Sequence, residues 1–351
     1  MPDALQQLLQ WSTSNSGNSS ATAAAPKEDA APALSTSGST AAAPVQPKKF
    51  DTAILDHIMG KSEAVIMREK LAIAVDEDQD LSERIMAMDD FEMATGELVE
   101  SIDNATDMQN MGLWPKVLDL LNDKQDPIIK LACWICGTAI QNNPKAQEAF
   151  HSHKPMSKLY SIISSIHPTD SNIQISNSTR AKAVYSLSAA LKHWPAAVAD
   201  LSSDADRGWA TLRDGLSDPD VTVRRKIAFL LSTLLLQSDD YTDAGVIIEN
   251  PVTSTSPNKT VQKMAETKVL DALIRSLVKP LPMGPDGDIS EPDWDLQEKC
   301  TRALVSALER GGLDAEQRKV LQDLWKGWKM DKEWDEVGYT EAEAQEALKL
   351  L

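Results

Sequence analysis

The sequence predicts an all-α solenoid of about four repeats behind a disordered N-terminal tail. One observation is a set of apolar residues at i, i+3, i+7 that returns every forty to sixty residues, the mark of stacked helical units. A second is that each set is followed by a longer amphipathic stretch opened by a basic residue. The third is composition: aromatic residues make up only 5% and Gly is scarce, whereas Ala, Leu and Lys are plentiful, which favours helix over sheet.

Taken in chain order, residues 3–11 place Leu5, Leu8 and Leu9 on one side of a short helix that ends at Trp11. Ser12 to Lys49 is almost purely Ser, Thr, Ala, Gly, Asn and Pro, too poor in large apolar groups to offset its ordering entropy. The expected division is therefore a flexible tail, 1–49, and a helical domain, 50–351. Leu81–Leu98 carries Leu81, Ile85, Met88 and Phe91 at helical spacing. Short helices follow at Trp114/Val117/Leu121, Met156/Leu159/Ile163, Trp209/Leu212/Leu216 and Leu270/Leu273/Leu277. Long partners are marked by Lys130, Arg180, Arg225 and Lys299, with apolar residues four, five and nine positions on. Asp126-Pro127 and Asp218-Pro219 are expected to open two of them, Asp capping free N–H groups and Pro taking the first helical position. Tyr241–Thr260 and Pro280–Pro292 read as insertions, and Thr340-Glu-Ala-Glu343 as a capping box for a final helix. No helix pair buries its apolar face alone, so neighbours stack into one core.

Charge narrows the function. Asp+Glu 53 against Lys+Arg 35 gives a net charge of -18, which argues against nucleic acid and anionic lipid and fits a partner with basic surface. No secretory signal or membrane-length apolar run is evident, and three cysteines fit a reducing compartment, so a cytoplasmic protein is expected. Cys133-x-x-Cys136 lacks a second ligand pair and falls inside a helix, where core packing is expected. His151-x-His153 reads as a solvated loop, and the acidic runs Asp76–Asp80 and Asp89-Asp90 as solvated charge. With no phosphate-binding Gly-rich loop and no nucleophile–base context, neither enzyme activity nor metal nor cofactor is expected.

Leu8-Leu9-Gln10-Trp11-Ser12, Phe91-Glu92-Met93, Ile102-Asp103-Asn104-Ala105 with Leu113-Trp114, and Gly137-Thr138-Ala139-Ile140-Gln141-Asn142-Asn143 resemble fungal cytosolic nucleotide exchange factors. These are related to the mammalian heat-shock-protein-binding protein. The resemblance implies an armadillo fold whose concave groove holds lobe II of the ATPase domain of the seventy-kilodalton heat-shock chaperone. Displacing lobe I then releases ADP, and client release follows. It further implies a monomer without nucleotide or cofactor of its own, and a tail that aids client release through Leu5, Leu8, Leu9 and Trp11. Expected chaperone contacts are Asp103, Asn104, Ala105, Asn142 and Asn143, joined by Arg180 and Arg225 at the openings of the second and third long helices. Ala105 matches a position where the chaperone approaches closely. The alternative is an armadillo adaptor for extended peptides, which would need a ladder of Trp followed four residues later by Asn. Thr138 follows Trp134 at that spacing and Arg213 follows Trp209, so the ladder is absent.

Overall fold

The computed structural model describes residues 62–93, 102–165, 173–237, 259–283, 289, 291–331 and 335–351. The tail with Leu5, Leu8, Leu9 and Trp11, residues 94–98 of the first expected helix, most of the first insertion and part of the second lie outside the described residues.

All regular elements among them are helical, apart from one isolated bridge between Met283 and Ile289. An opening pair, α1 (Glu63–Val75) and α2 (Leu81–Met93), precedes four triplets. The first triplet is α3 (Ile102–Asn110), α4 (Trp114–Asp119, prolonged by a 3-10 turn over Leu120–Asn122) and α5 (Asp126–Ile140). The second is α6 (Pro144–Ser152), α7 (Met156–Ile163) and α8 (Asn177–Leu191). The third is α9 (Pro195–Asp200), α10 (Ser203–Gly215) and α11 (Val221–Leu236); the fourth is α12 (Lys259–Glu266), α13 (Val269–Val278) and α14 (Trp294–Glu309). Helices α15 (Ala315–Asp331) and α16 (Glu341–Leu350) close the array, the latter through the expected capping box at Thr340 and Glu343.

The repeat is thus a triplet rather than a pair, because each expected short–long pair is preceded by one more short helix. Two of these extra helices begin in the same way. After α5 and α8 the chain turns through a left-handed residue, Asn142 (φ 55°) or His193 (φ 56°), and a Pro opens the next helix. Asn143 accepts a hydrogen bond from the Ala146 N–H, satisfying one of the free donors of that helix start.

The long helices lie side by side in one layer, α2–α5–α8–α11–α14, while α4, α7, α10, α13 and α15 form the other. Hydrogen bonds join like ends, so the long helices run parallel. At the N-terminal ends, the Ser176 N–H donates to Asp126 and Asn177 to Asp220; at the C-terminal ends, Lys192 donates to Asn142. The long helices meet along more of their length than the short ones do. Gly137 on α5 permits a close approach: a Cβ there would sit 2.5 Å from the Tyr185 ring of α8.

The core is continuous from α1 to α16. Trp114, Phe150, Trp209 and Trp325 are among its largest fully buried side chains, and Trp114 meets Phe150 edge-on at 5.5 Å, tying the first two repeats. Each such group contributes about 1.5–3 kcal/mol by leaving water. Cys133, Cys136 and Cys300 are buried here, and burial pushes the Cys136 and Cys300 thiols up to about 12.

Three readings of local structure need correction. The cap of α11 is Asp220, which accepts from the N–H groups of Thr222 and Val223, and not Asp218. Asp126 is the first residue of α5 rather than its cap. His151 belongs to the last turn of α6, with Nε2 3.3 Å from Asp200, so only His153 is an exposed post-helical residue.

Candidate functional site

The inner layer offers a face built by equal spacing. The long helices α5, α8, α11 and α14 have N-caps at Gln125, Ser176, Asp220 and Asp293. Nine residues beyond those caps stand Trp134, Tyr185, Phe229 and Arg302 in successive repeats. Trp134 and Tyr185 are half-buried, and Phe229 is 58% exposed. Parallel helices in register turn this spacing into a row across three repeats, an aromatic strip on the long-helix layer. A Phe that exposed is costly on a free surface and is the kind of group that marks a contact.

Six residues beyond the same caps stand Leu131, Lys182, Lys226 and Lys299. The Lys182 ammonium lies 3.4 Å over the Trp134 ring and 5.8 Å from that of Tyr185, and Lys226 lies 6.0 Å from Tyr185 on its other side. Burial, then the charges of Lys226 and Lys130, hold the Lys182 pKa below its ordinary 10.5, while Glu92 acts the other way. Tyr185 is anchored by its hydroxyl, which donates to Gln141 Oε1 at 2.7 Å. Between α8 and α11 the face opens into a cleft of about 650 Å³ whose lining includes Trp134, Asn177, Lys182, Tyr185, Thr222 and Lys226.

The expected contact residues fall into two groups at opposite ends of the long helices. Asp103, Asn104 and Ala105 lie on α3, and Asn142 and Asn143 at the α5–α6 junction; Asn143 Nδ2 donates to Thr106 at 3.3 Å, bringing these together. Asp103 is exposed, and Asn104 donates to Glu63 at 2.7 Å. Ala105 is only 2% exposed, so it packs within the array rather than on its surface. Asn143 is likewise buried as the cap of α6, whereas Asn142 is exposed. Arg180 and Arg225 sit at the other end, a helix of fifteen residues away, roughly 22 Å at 1.5 Å per residue.

Arg180 departs from the expectation. It is buried against α11, with Nε 2.7 Å and Nη2 2.9 Å from the Asp218 carboxylate and Nη1 donating to the Ile175 carbonyl. Nothing of its guanidinium is left for a partner, because Asp218, itself wholly buried, requires it. Arg225 is half-exposed but forks onto Asp293 and approaches Asp295 at 3.3 Å. Burial alone would raise the Asp293 pKa; the hydrogen bonds from Arg225 and from the Leu296 N–H outweigh it and hold the carboxyl below its ordinary 3.8.

Lys182, Lys226, Tyr185 and Phe229 escaped the sequence reading for a definable reason. The basic residues used to align the long helices lie five, four, five and six residues past their caps, so they do not form one row. Aligning the caps instead brings Trp134, Tyr185 and Phe229 into line. Trp209 has no place in a groove at all, being buried on α10 in the other layer.

Comparison with known proteins bears on the family and the fold. The family model described as nucleotide exchange factor Fes1 matches residues 5–108. A Cryptococcus neoformans protein named Hsp70 nucleotide exchange factor FES1 is 40% identical over 285 residues, covering 79% of this chain and 72% of the relative. Its namesake in Mycosarcoma maydis is 32% identical over 339 residues, covering 86% and 82%. Among solved structures, a designed armadillo repeat protein superposes with a TM-score of 0.54 at 15% identity, covering 83% of this chain and all of that one. An engineered protein gives 0.55 at 15% identity, covering 81% and 95%. Those two likenesses establish an armadillo-type fold.

Proposed function

Because the chain belongs to the Fes1 family of nucleotide exchange factors, we propose that it binds the ATPase domain of a seventy-kilodalton heat-shock chaperone and promotes loss of ADP. The observation that carries the reading is the pairing of this family with a layer of parallel long helices bearing an exposed Phe229 beside Lys182 and Lys226, neither of which forms an ion pair among the described residues. This chain is read as a cytoplasmic monomer that seats the chaperone on that face.

The mechanism needs no covalent step by this chain. A protein that grips one lobe of a two-lobed domain favours whichever lobe arrangement fits its curvature. If the open arrangement fits better, binding shifts the domain toward it and the nucleotide loses the contacts of the displaced lobe. Linkage makes the effect reciprocal: the factor weakens ADP by the same ratio by which ADP weakens the factor, and each ~1.4 kcal/mol of coupling is about tenfold. The long helices suit this task, since a rigid side-by-side layer resists the strain of holding a lobe away from its rest position. The tail residues Leu5, Leu8, Leu9 and Trp11, within the segment matched by the family model, are read as a separate client-releasing element.

The experiment is release of labelled ADP from a purified cytosolic chaperone with and without the full chain. Acceleration of at least tenfold at saturating factor is expected, while no acceleration with a correctly folded chain would overturn the reading. Replacing Leu8, Leu9 and Trp11 by Ala is expected to slow client-peptide release and leave ADP release intact; equal loss of both would refute a separate tail role.

A further inference from the structure

Three basic side chains near the starts of the long helices are held by the array itself. Arg180 is spent on Asp218, Arg225 on Asp293, and Lys299 on Asp295. Lys130, Lys182 and Lys226 differ: none of them forms an ion pair among the described residues, although the chain carries a net charge of -18. They come from three successive repeats, or border them, and act on one another through space, since Lys226 and Lys130 both oppose the charge on Lys182. Lys182 lies closest to the Trp134 ring, with Tyr185 beyond it and the charge of Glu92 acting from further off.

A cleft with this lining asks for an anion of limited size. An oxygen pair placed between Lys182 and Lys226 would relieve their mutual repulsion, and both ammonium groups line the same opening. A polyanion is the wrong guest, because Asp220 lines the same cleft and Asp293 and Asp295 follow at the start of α14. A single carboxylate avoids them. The neighbouring surface is aromatic, with Trp134 and Tyr185 in the wall and Phe229 exposed in the same row, which fits a carboxylate carried on apolar protein surface.

We propose that the cleft between α8 and α11 selects an acidic side chain of the bound protein, its carboxylate bridging Lys182 and Lys226 while its apolar neighbours pack on Phe229. This names the chemistry of the surface recognised in the exchange reading and rests on that reading for the partner's identity. The sequence had suggested a basic partner surface from net charge alone; at this face the complement is acidic. Lys182 would leave the Trp134 ring for the carboxylate, so the site trades one cation contact for a stronger, charge-assisted one.

The test measures affinity of the full-length chain for the chaperone ATPase domain at low and high salt. It compares the wild type with the double variants Lys182→Met/Lys226→Met, which keeps the apolar stems, and Lys182→Arg/Lys226→Arg, which keeps the charge. The Met pair is expected to lose tenfold or more in affinity at low salt and most of the salt dependence, and the Arg pair to retain both. Wild-type affinity and salt dependence in a natively folded Met pair would overturn the proposal while leaving the exchange reading intact. If the wild type itself fails to bind the chaperone domain, the exchange reading falls and a peptide with capped ends that carries a single Glu flanked by Leu decides the cleft. Binding to the wild type but not to the Met pair supports it, and equal or absent binding refutes it.

Discussion

Arg180→Met tests whether a buried arginine at the start of a long helix holds the array together or touches a partner. Its guanidinium and the Asp218 carboxylate have side-chain exposures of 4% and 0%. With Arg180 gone, the carboxylate keeps only the Asp220 N–H at 2.8 Å among its hydrogen-bond donors. Removing one partner of a buried pair costs about 3–5 kcal/mol, chiefly because the other charge is stranded. At roughly 2 °C per kcal/mol for a domain of this size, the thermal midpoint should fall by about 6–10 °C. Adding Asp218→Asn removes the stranded charge and keeps an oxygen for the Asp220 N–H, so the double variant should regain more than half of the loss. Urea unfolding followed by circular dichroism measures both, and chaperone affinity well below the transition should change by less than about threefold. An unchanged midpoint together with a lost affinity would refute the reasoning and return Arg180 to the binding surface.

Gly137→Ala should cost about 1–3 kcal/mol, because the new methyl would displace the Tyr185 ring; the same variant should weaken chaperone binding, since that ring lines the cleft, and wild-type stability would show that α8 can move aside. Iodoacetamide at pH 8.5 should label none of Cys133, Cys136 and Cys300 in the native chain and all three in urea, because burial keeps these thiols protonated. The stability linked to Cys136 and Cys300 is correspondingly complete below pH 9 and lost as pH rises through about 12; rapid native labelling would contradict their burial. Deleting residues 1–49 should leave the thermal midpoint nearly unchanged, and a fall of ten degrees or more would mean that Leu5–Trp11 packs on the body.

The helical solenoid was legible because burial imposes a period. Trp114, Val117 and Leu121, or Leu270, Leu273 and Leu277, repeat at helical spacing for one reason: each set faces the same core. The first helix of each triplet was not legible, because α9 has only six residues and its one buried side chain is Ala197, too little to show a period. Asn143-Pro144 and Trp194-Pro195 did carry a signal, a Pro in the first helical turn, but as punctuation rather than periodicity. The face was harder still. A groove-lining residue obeys the spacing of helix caps, and caps are set by side chains as different as Gln125, Ser176, Asp220 and Asp293. Arg180 and Arg225 look alike in sequence, and only tertiary structure separates a buried arginine from a half-exposed one.

The polar links at the N-terminal ends of the long helices have a mechanical consequence. Arg84 reaches Asp123, Asp126 takes the Ser176 N–H, Asp218 takes Arg180, and Asp293 takes Arg225, so every junction along the layer is pinned at the same end. Apolar contacts alone tolerate sliding; hydrogen bonds of fixed length and direction do not. Like ends also meet at the opposite edge, where Lys192 donates to Asn142 and the His193 N–H to Gln237. Neighbouring repeats are therefore tied against sliding at both ends of the long helices, and a load applied to one repeat is passed to the next with the rows of side chains kept in step.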